Sequence, residues 1–201
     1  MKSNEFYKEA EGIYRLRVPF EGLYTCVFLV EAKEKRILVD CAMTAHDVED
    51  VILPALAKMG YVPTQIDTLV LTHRHGDHAG GLDTLLHYAP QLEIVTDIRP
   101  LADGVCTYPM GGHTEDCVGV FCTRTGTLIS GDGIQGAGVD KYPCYTQNPE
   151  MYLETLARIR EDARIENILF SHAYEPWFAD RVTGREQVLA CLEQCPKYVK
   201  R

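Results

Sequence analysis

The sequence predicts an α/β fold carried by a single domain over residues 1–201, and three observations predict it. Short apolar runs of strand type alternate with stretches of helical periodicity, the pattern of sheets covered by helices. No Pro/Gly/Ser-rich linker or low-complexity run interrupts the alternation. An order of strand, aspartate, helix, strand, histidine also occurs twice, from ILVD to His73 and from TLISGD to His172.

Strands are expected at 13–18, 23–32 and 36–39, where apolar residues alternate or run continuously. Residues 44–59 then place Val48, Val51, Ile52, Ala55, Leu56 and Met59 at helical spacing, with Thr44 and Asp47 as a capping box and Gly60 as the stop. Pro54 is expected to kink this helix. A strand at 67–72 follows, then a short helix after Gly81 that turns Leu82, Leu85 and Leu86 toward the core, then strands at 92–96, 117–122 and 127–130. The next helix starts on Asn148 and Pro149 and buries Tyr152, Leu156 and Ile159. After a strand at 166–170, a last helix is expected from Thr183, boxed by Glu186, ending before Pro196. A duplicated strand–Asp–helix–strand–His unit would set both aspartates and both histidine groups at strand ends, where active sites are commonly built.

Hydrophobic residues make up 46% and charged residues 24%, which fits a packed globular chain. With 29 acidic against 20 basic residues the formal charge is −9, so the bare surface repels phosphate backbones and nucleic acid is not an expected partner. The basic ending Lys197, Lys200 and Arg201 reads as a solvated tail. No apolar stretch is long enough to span a bilayer, and the start MKSNEFYKEAEG lacks the core of a signal peptide, so a cytoplasmic protein without a membrane partner is expected. Eight scattered cysteines contain no CxxC pair, and no structural disulfide is expected. Cys191 and Cys195, one helical turn apart beside Val188 and Leu192, read as a core stripe.

The run LVLTHRHGDHAGG puts His73, His75, Asp77 and His78 within six positions, after an apolar strand and before a helix. Imidazoles crowded this closely repel when protonated and lack partners when neutral, unless a cation collects their lone pairs. Of the other histidines, His46 and His87 fall on polar helix positions and should face solvent. His113 follows two glycines in GGHTED, and His172 follows an apolar strand in FSHAYEP.

The motifs THRHGDH, GGHT, SGD and SHAYEP, in that order and over nearly the whole chain, resemble the metal-binding motifs of the metallo-β-lactamase superfamily. The resemblance implies an αβ/βα four-layer sandwich of two mixed β-sheets with helices on the outer faces. It implies a dinuclear metal centre with His73, His75 and His113 on the first metal, Asp77, His78 and His172 on the second, and Asp132 bridging both. Nitrogen and oxygen donors suit zinc, taken as the default, and also iron or manganese. Asp40 resembles the aspartate that supports the histidine loop from behind.

Two metals sharing one hydroxide would supply a nucleophile at neutral pH, with Asp77 and Asp132 holding and orienting it. The expected reaction is hydrolysis of a small thioester, lactone or other ester. Zinc β-lactamases commonly carry cysteine or histidine where this chain has Asp132, so the site resembles that of glyoxalase II and acyl-homoserine lactonases more than a true β-lactamase. In the loop GIQGAGVDKYPCYTQNP, Lys141, Tyr142 and Tyr145 are the expected substrate contacts, and Lys141-Tyr142 resembles the basic-aromatic loop of glyoxalase II. Tyr174 and Trp177 are the candidates for an opposite wall. The segment from His78 to His113 is short for the family, which leaves room for coverage by a second copy in a homo-oligomer. Readings left open on the same fold are a mononuclear iron persulfide dioxygenase, a diiron oxygen reductase, a phosphodiesterase and a sensor without turnover.

Overall fold

A computed structural model describes residues 5–199, so Lys200 and Arg201 of the basic ending and the first four residues of the start lie outside the described residues. The chain divides into two compact units, Met1–Thr96 and Asp97–Arg201.

The first unit holds one six-stranded sheet in the order β1-β2-β3-β4-β5-β6. Strands β1 (Tyr7–Ala10), β2 (Ile13–Phe20), β3 (Leu23–Ala32) and β4 (Lys35–Val39) form an antiparallel meander. From β4 the chain crosses through α1 (Ala45–Asp47), a π-helical turn (Val48–Ile52) and α2 (Leu53–Lys58), then returns as β5 (Thr68–Val70) parallel to β4. The helices α3 (Gly76–Ala79) and α4 (Leu82–Tyr88) lead to β6 (Glu93–Val95), parallel to β5. Alternate residues of the strands, Leu16 and Val18, Val27 and Leu29, Leu38, Leu69 and Leu71, pack against Val48, Ile52, Ala55, Leu56 and Leu85 of the helices. This is the two-residue period of a strand meeting the near-four-residue period of a helix.

The Thr44–Asp47 capping box forms in both directions, and Gly60 ends the helix with φ +84°. The kink expected at Pro54 takes the form of the π turn just before it. Proline offers no N–H to the turn behind it, and the wider turn is closed by Leu53 N–H donating to the Val48 carbonyl.

The second unit holds a sheet in the order β14-β13-β10-β9-β8-β7. Its strands are β7 (Pro100–Ala102), β8 (Val105–Pro109), β9 (Val118–Cys122) and β10 (Thr127–Ile129), then β13 (Asn167–Tyr174) and β14 (Ala179–Thr183). A small hairpin of β11 (Gly138–Val139) and β12 (Tyr142–Pro143) and the helix α5 (Pro149–Glu161) fill the crossover from β10 to β13, which again pair in parallel. Tyr152, Leu156 and Ile159 of α5 pack with Leu128, Ile168 and Phe170 of the sheet and with Val188, Cys191, Leu192 and Cys195 near the end of the chain. Both units thus carry the sequence echo as the same object, two parallel strands with an aspartate beyond the first and histidine at or beyond the end of the second.

The last helix, α6, runs Arg185–Gln194 and corrects the expected start at Thr183. Thr183 pairs with Asn167 as the end of β14, and Gly184, at φ +87°, takes the cap position with no side-chain cap bond. The Thr183 N–H donates to Gln187 Oε1 in place of a box with Glu186. Pro196 falls in a short 3-10 turn after the helix, as the sequence requires. Sequence periodicity also passed over β1, β7, β8, the β11–β12 hairpin and β14. All eight cysteines are free, and no helix among the described residues is long and apolar enough to cross a membrane.

Candidate metal centre

In the first unit the histidine loop starts where β5 ends. Asp40, one residue beyond β4, is fully buried and left-handed at φ +62°, a conformation that aspartate tolerates better than most side chains. Its own N–H donates to the Val70 carbonyl, so the strand pairing continues into the loop. Its carboxylate accepts three hydrogen bonds. Oδ1 takes the Thr72 N–H at 2.8 Å, and Oδ2 takes the Thr72 hydroxyl at 2.8 Å and His78 Nδ1–H at 2.7 Å. Close packing of the chain behind the loop needs Gly80, where a Cβ would overlap the Met43 carbonyl oxygen and sit 2.5 Å from that of Gly76.

These bonds decide where the imidazole hydrogens lie. In its neutral form His78 donates from Nδ1 to a carboxylate that only accepts, and its Nε2 then keeps a lone pair. The single Thr72 hydroxyl hydrogen is given to Asp40, so Thr72 Oγ1 accepts from His73 Nδ1–H at 3.1 Å, which in the neutral ring puts the lone pair on Nε2. That Nε2 lies 3.1 Å from Nδ1 of His75, and His78 Nε2 lies 3.4 Å from the Asp77 carboxylate. His73, His75, Asp77 and His78 therefore gather in one cluster, and Asp40 supports it from behind. Neutral imidazoles that carry lone pairs on Nε2 beside a carboxylate are a donor set that fits a divalent cation.

In the second unit, His113, Asp132 and His172 gather in the same way, each of them buried. Asp132 Oδ2 lies 3.6 Å from His113 Nε2, and Oδ1 lies 3.4 Å from His172 Nε2. Gly112 brings His113 in by close approach to α5, at φ +136° and with a Cβ position only 2.5 Å from the Tyr152 Cα. Tyr174, expected as a substrate wall, is buried and donates its hydroxyl to Asp132 Oδ1 at 2.7 Å. Trp177 stacks on Phe170 at 5.8 Å, half-buried. Lys141 and Tyr142 are exposed on the small hairpin, the ammonium 5.2 Å from the ring centre. Tyr145 is exposed too, edge-on to the His113 ring at 5.6 Å between centroids.

Two residues of the site escaped sequence reasoning. Thr72 lay inside the motif without a role, and Gln135, buried with Nε2 at 2.6 Å from His113 Nδ1, carried no signal. Nearby thiols are held neutral. Burial, helped by Asp40, pushes Cys41 up to about 12, and burial pushes Cys117 up to about 11 against the lowering effect of Thr114. His46 and His87 are exposed.

The family model of the metallo-beta-lactamase superfamily matches residues 21–97. A beta-lactamase-like protein 2 homolog of Drosophila melanogaster is 32% identical over 143 residues, 57% of this chain and 48% of that one. A hydroxyacylglutathione hydrolase of Yersinia pestis is 25% identical over 189 residues, 81% of this chain and 71% of its own length. The chain spans 40% to 62% of the length of the first curated relatives it matches. Among solved structures, a metallo beta lactamase from Erythrobacter litoralis superposes with a TM-score of 0.70 at 20% identity, covering 98% of this chain and 99% of that one. The two mixed sheets with their helices are the metallo-beta-lactamase fold.

Proposed function

We propose that the chain is a metal-dependent hydrolase of a small thioester, lactone or other ester. The observation that carries this reading is the pair of imidazoles, His73 and His78, each locked by Asp40 and Thr72 with Nε2 turned out as a lone pair. A side-chain network of this kind has no packing purpose, and it is what a ligand imidazole needs. The Yersinia relative named a hydroxyacylglutathione hydrolase supports the ester or thioester class.

In this reading His73, His75, Asp77 and His78 of the first unit, and His113, Asp132 and His172 of the second, would serve as metal ligands, with zinc the default occupant. When bound, such a pair supplies a water acidified to near neutrality and a Lewis acid for the scissile carbonyl. The chain's own residues do the rest. Asp77, with its carboxylate partly open to solvent, would hold and orient the attacking water. Tyr174 holds Asp132 in place through the 2.7 Å bond to Oδ1, leaving Oδ2 for a cation. Lys141, Tyr142 and Tyr145 offer a cationic and aromatic surface for the acyl group or its carrier.

Metal analysis of the purified protein followed by turnover assays on thioesters, lactones, phosphodiesters and β-lactams tests the proposal. Two metals per chain with hydrolysis of a thioester or lactone is the expected result. Two metals with no turnover across the panel, or one iron per chain with oxygen uptake on a persulfide, overturns it.

A further inference from the structure

His113 Nδ1 has two neighbours with opposite requirements. The Tyr145 carbonyl oxygen, 2.8 Å away, only accepts, while the Gln135 side-chain Nε2, 2.6 Å away, only donates. One ring nitrogen cannot satisfy both. With the hydrogen on Nδ1, the ring bonds to Tyr145 and its Nε2 lone pair is open to a cation. With the hydrogen on Nε2, the ring accepts from Gln135 and that lone pair is gone.

The amide cannot turn over to escape the conflict. Gln135 Oε1 accepts from the Tyr145 N–H at 3.0 Å, a backbone donor whose sign is fixed. The Gln135 backbone is pinned as well, its N–H donating to the Tyr152 hydroxyl and its carbonyl accepting from it, both at 3.0 Å. One peptide segment at Tyr145 therefore orients the glutamine through its N–H and competes with it through its C=O. The Gln147 N–H adds a bond to the His113 carbonyl at 3.1 Å, so the chain that carries Lys141, Tyr142 and Tyr145 is tied to this ring at several points.

We propose that Gln135 is a positioning residue that selects between the two tautomers of His113, and so sets how readily this ring accepts a metal ion. The inference rests on the reading of His113 as a metal ligand. In the metal-free protein the Gln135 donor favours hydrogen on Nε2. In the loaded protein the hydrogen sits on Nδ1, bonded to the Tyr145 carbonyl, and the Gln135 amide loses His113 as its acceptor. Moving the hydrogen from one ring nitrogen to the other by exchange with water changes no net charge on the ring.

Gln135→Glu and Gln135→Met separate this role from simple packing. A glutamate accepts from the Tyr145 N–H with one oxygen and from His113 Nδ1–H with the other, whereas methionine keeps the bulk and removes the donor. The first readout is the ring-nitrogen NMR signature of His113 in the metal-free proteins, assigned with His113→Asn; the second is zinc affinity by chelator competition. The expected result is hydrogen mainly on Nε2 in the natural protein and on Nδ1 in both variants, with zinc bound about 10-fold more tightly, the low end of effects reported for such supporting partners. An unchanged tautomer in both variants, or a changed melting temperature with zinc affinity within twofold, overturns the proposal. A tautomer shift in a protein that binds no zinc would sink the metal reading while leaving the selection itself standing. Zinc binding and hydrolysis with no response to either variant would do the reverse.

Discussion

Replacing Asp40 tests the supporting network directly, because the carboxylate is fully buried and accepts from the Thr72 N–H, the Thr72 hydroxyl and His78 Nδ1–H. In Asp40→Ala all three donors lose their acceptor in a place that water does not reach. Hydrogen bonds to a charged acceptor are worth about 1.5–3 kcal/mol each, so the loss is on the order of 5 kcal/mol, reduced to about 3 kcal/mol if the Thr72 hydroxyl finds another partner. Against a total stability of about 5–15 kcal/mol, that is a large fraction, and about 2–4 °C per kcal/mol puts the melting point roughly 10 °C lower or more. Asp40→Asn keeps the shape and one acceptor oxygen, so its loss should be about 1–2 kcal/mol, the scale of one neutral hydrogen bond. Its new N–H₂ group, facing His78, would force that ring to accept at Nδ1 and carry its hydrogen on Nε2. Zinc affinity should then fall by about 10- to 100-fold even though the fold survives. Urea unfolding of the metal-free proteins gives the stabilities, and chelator competition gives the affinities. An Asp40→Ala protein within about 1 kcal/mol of the natural one would refute the reasoning, since that is less than a single orphaned buried donor costs.

Gly80→Ala should destabilise although alanine is the better helix former by about 1 kcal/mol, because its methyl group would press on the backbone of Met43 and Gly76, which cannot swing away; a variant as stable as the natural protein in the same urea assay would contradict the packing. Cys41, Cys117 and Cys122, raised by burial to about 12, 11 and 12, should resist a thiol reagent at pH 8 in the folded state and react after denaturation. Because their folded values are raised, the stability they lend is complete below the ordinary thiol value and drains away as pH rises from about 9 toward 12. Asp162 runs in the opposite sense: hydrogen bonds from Arg164 hold its carboxyl below the usual value of 3.8, so its contribution is present above that pH and disappears as pH falls through the lowered value. Asp162→Asn should therefore lower stability near neutrality and flatten the acid side of the curve, the two proteins converging at low pH, as acid titration followed by circular dichroism can check.

The parts of the molecule legible from sequence are those whose signal is local. Strands such as Leu23–Ala32 are long and apolar, and the crossover helix announces itself through Thr44, Asp47 and Gly60. The histidine loop is legible for the same reason, since four ligand-type residues share six positions. What stayed hidden depends on partners far along the chain. Strands β1 and β14, with sequences YKEA and ADRVT, have too few apolar residues to show a period and exist because a neighbouring strand pairs with them. The same pairing took Thr183 into the sheet and moved the helix cap to Gly184. Gln135 and the Tyr145 carbonyl were out of reach because a backbone acceptor has no side-chain signature and an amide three residues after Asp132 has many uses.

The two parallel pairs, β4 with β5 and β10 with β13, act as fixed rulers. Hydrogen-bonded neighbours sit about 4.8 Å apart whatever the chain does between them. Asp40 and Thr72 are thereby brought together across one crossover, and Asp132 and His172 across another that carries a hairpin and a long helix. Crossover length is thus uncoupled from the spacing of these side chains. Evolution can lengthen, shorten or rewrite the hairpin that bears Lys141 and Tyr142 while the strands go on returning the same side chains to the same place.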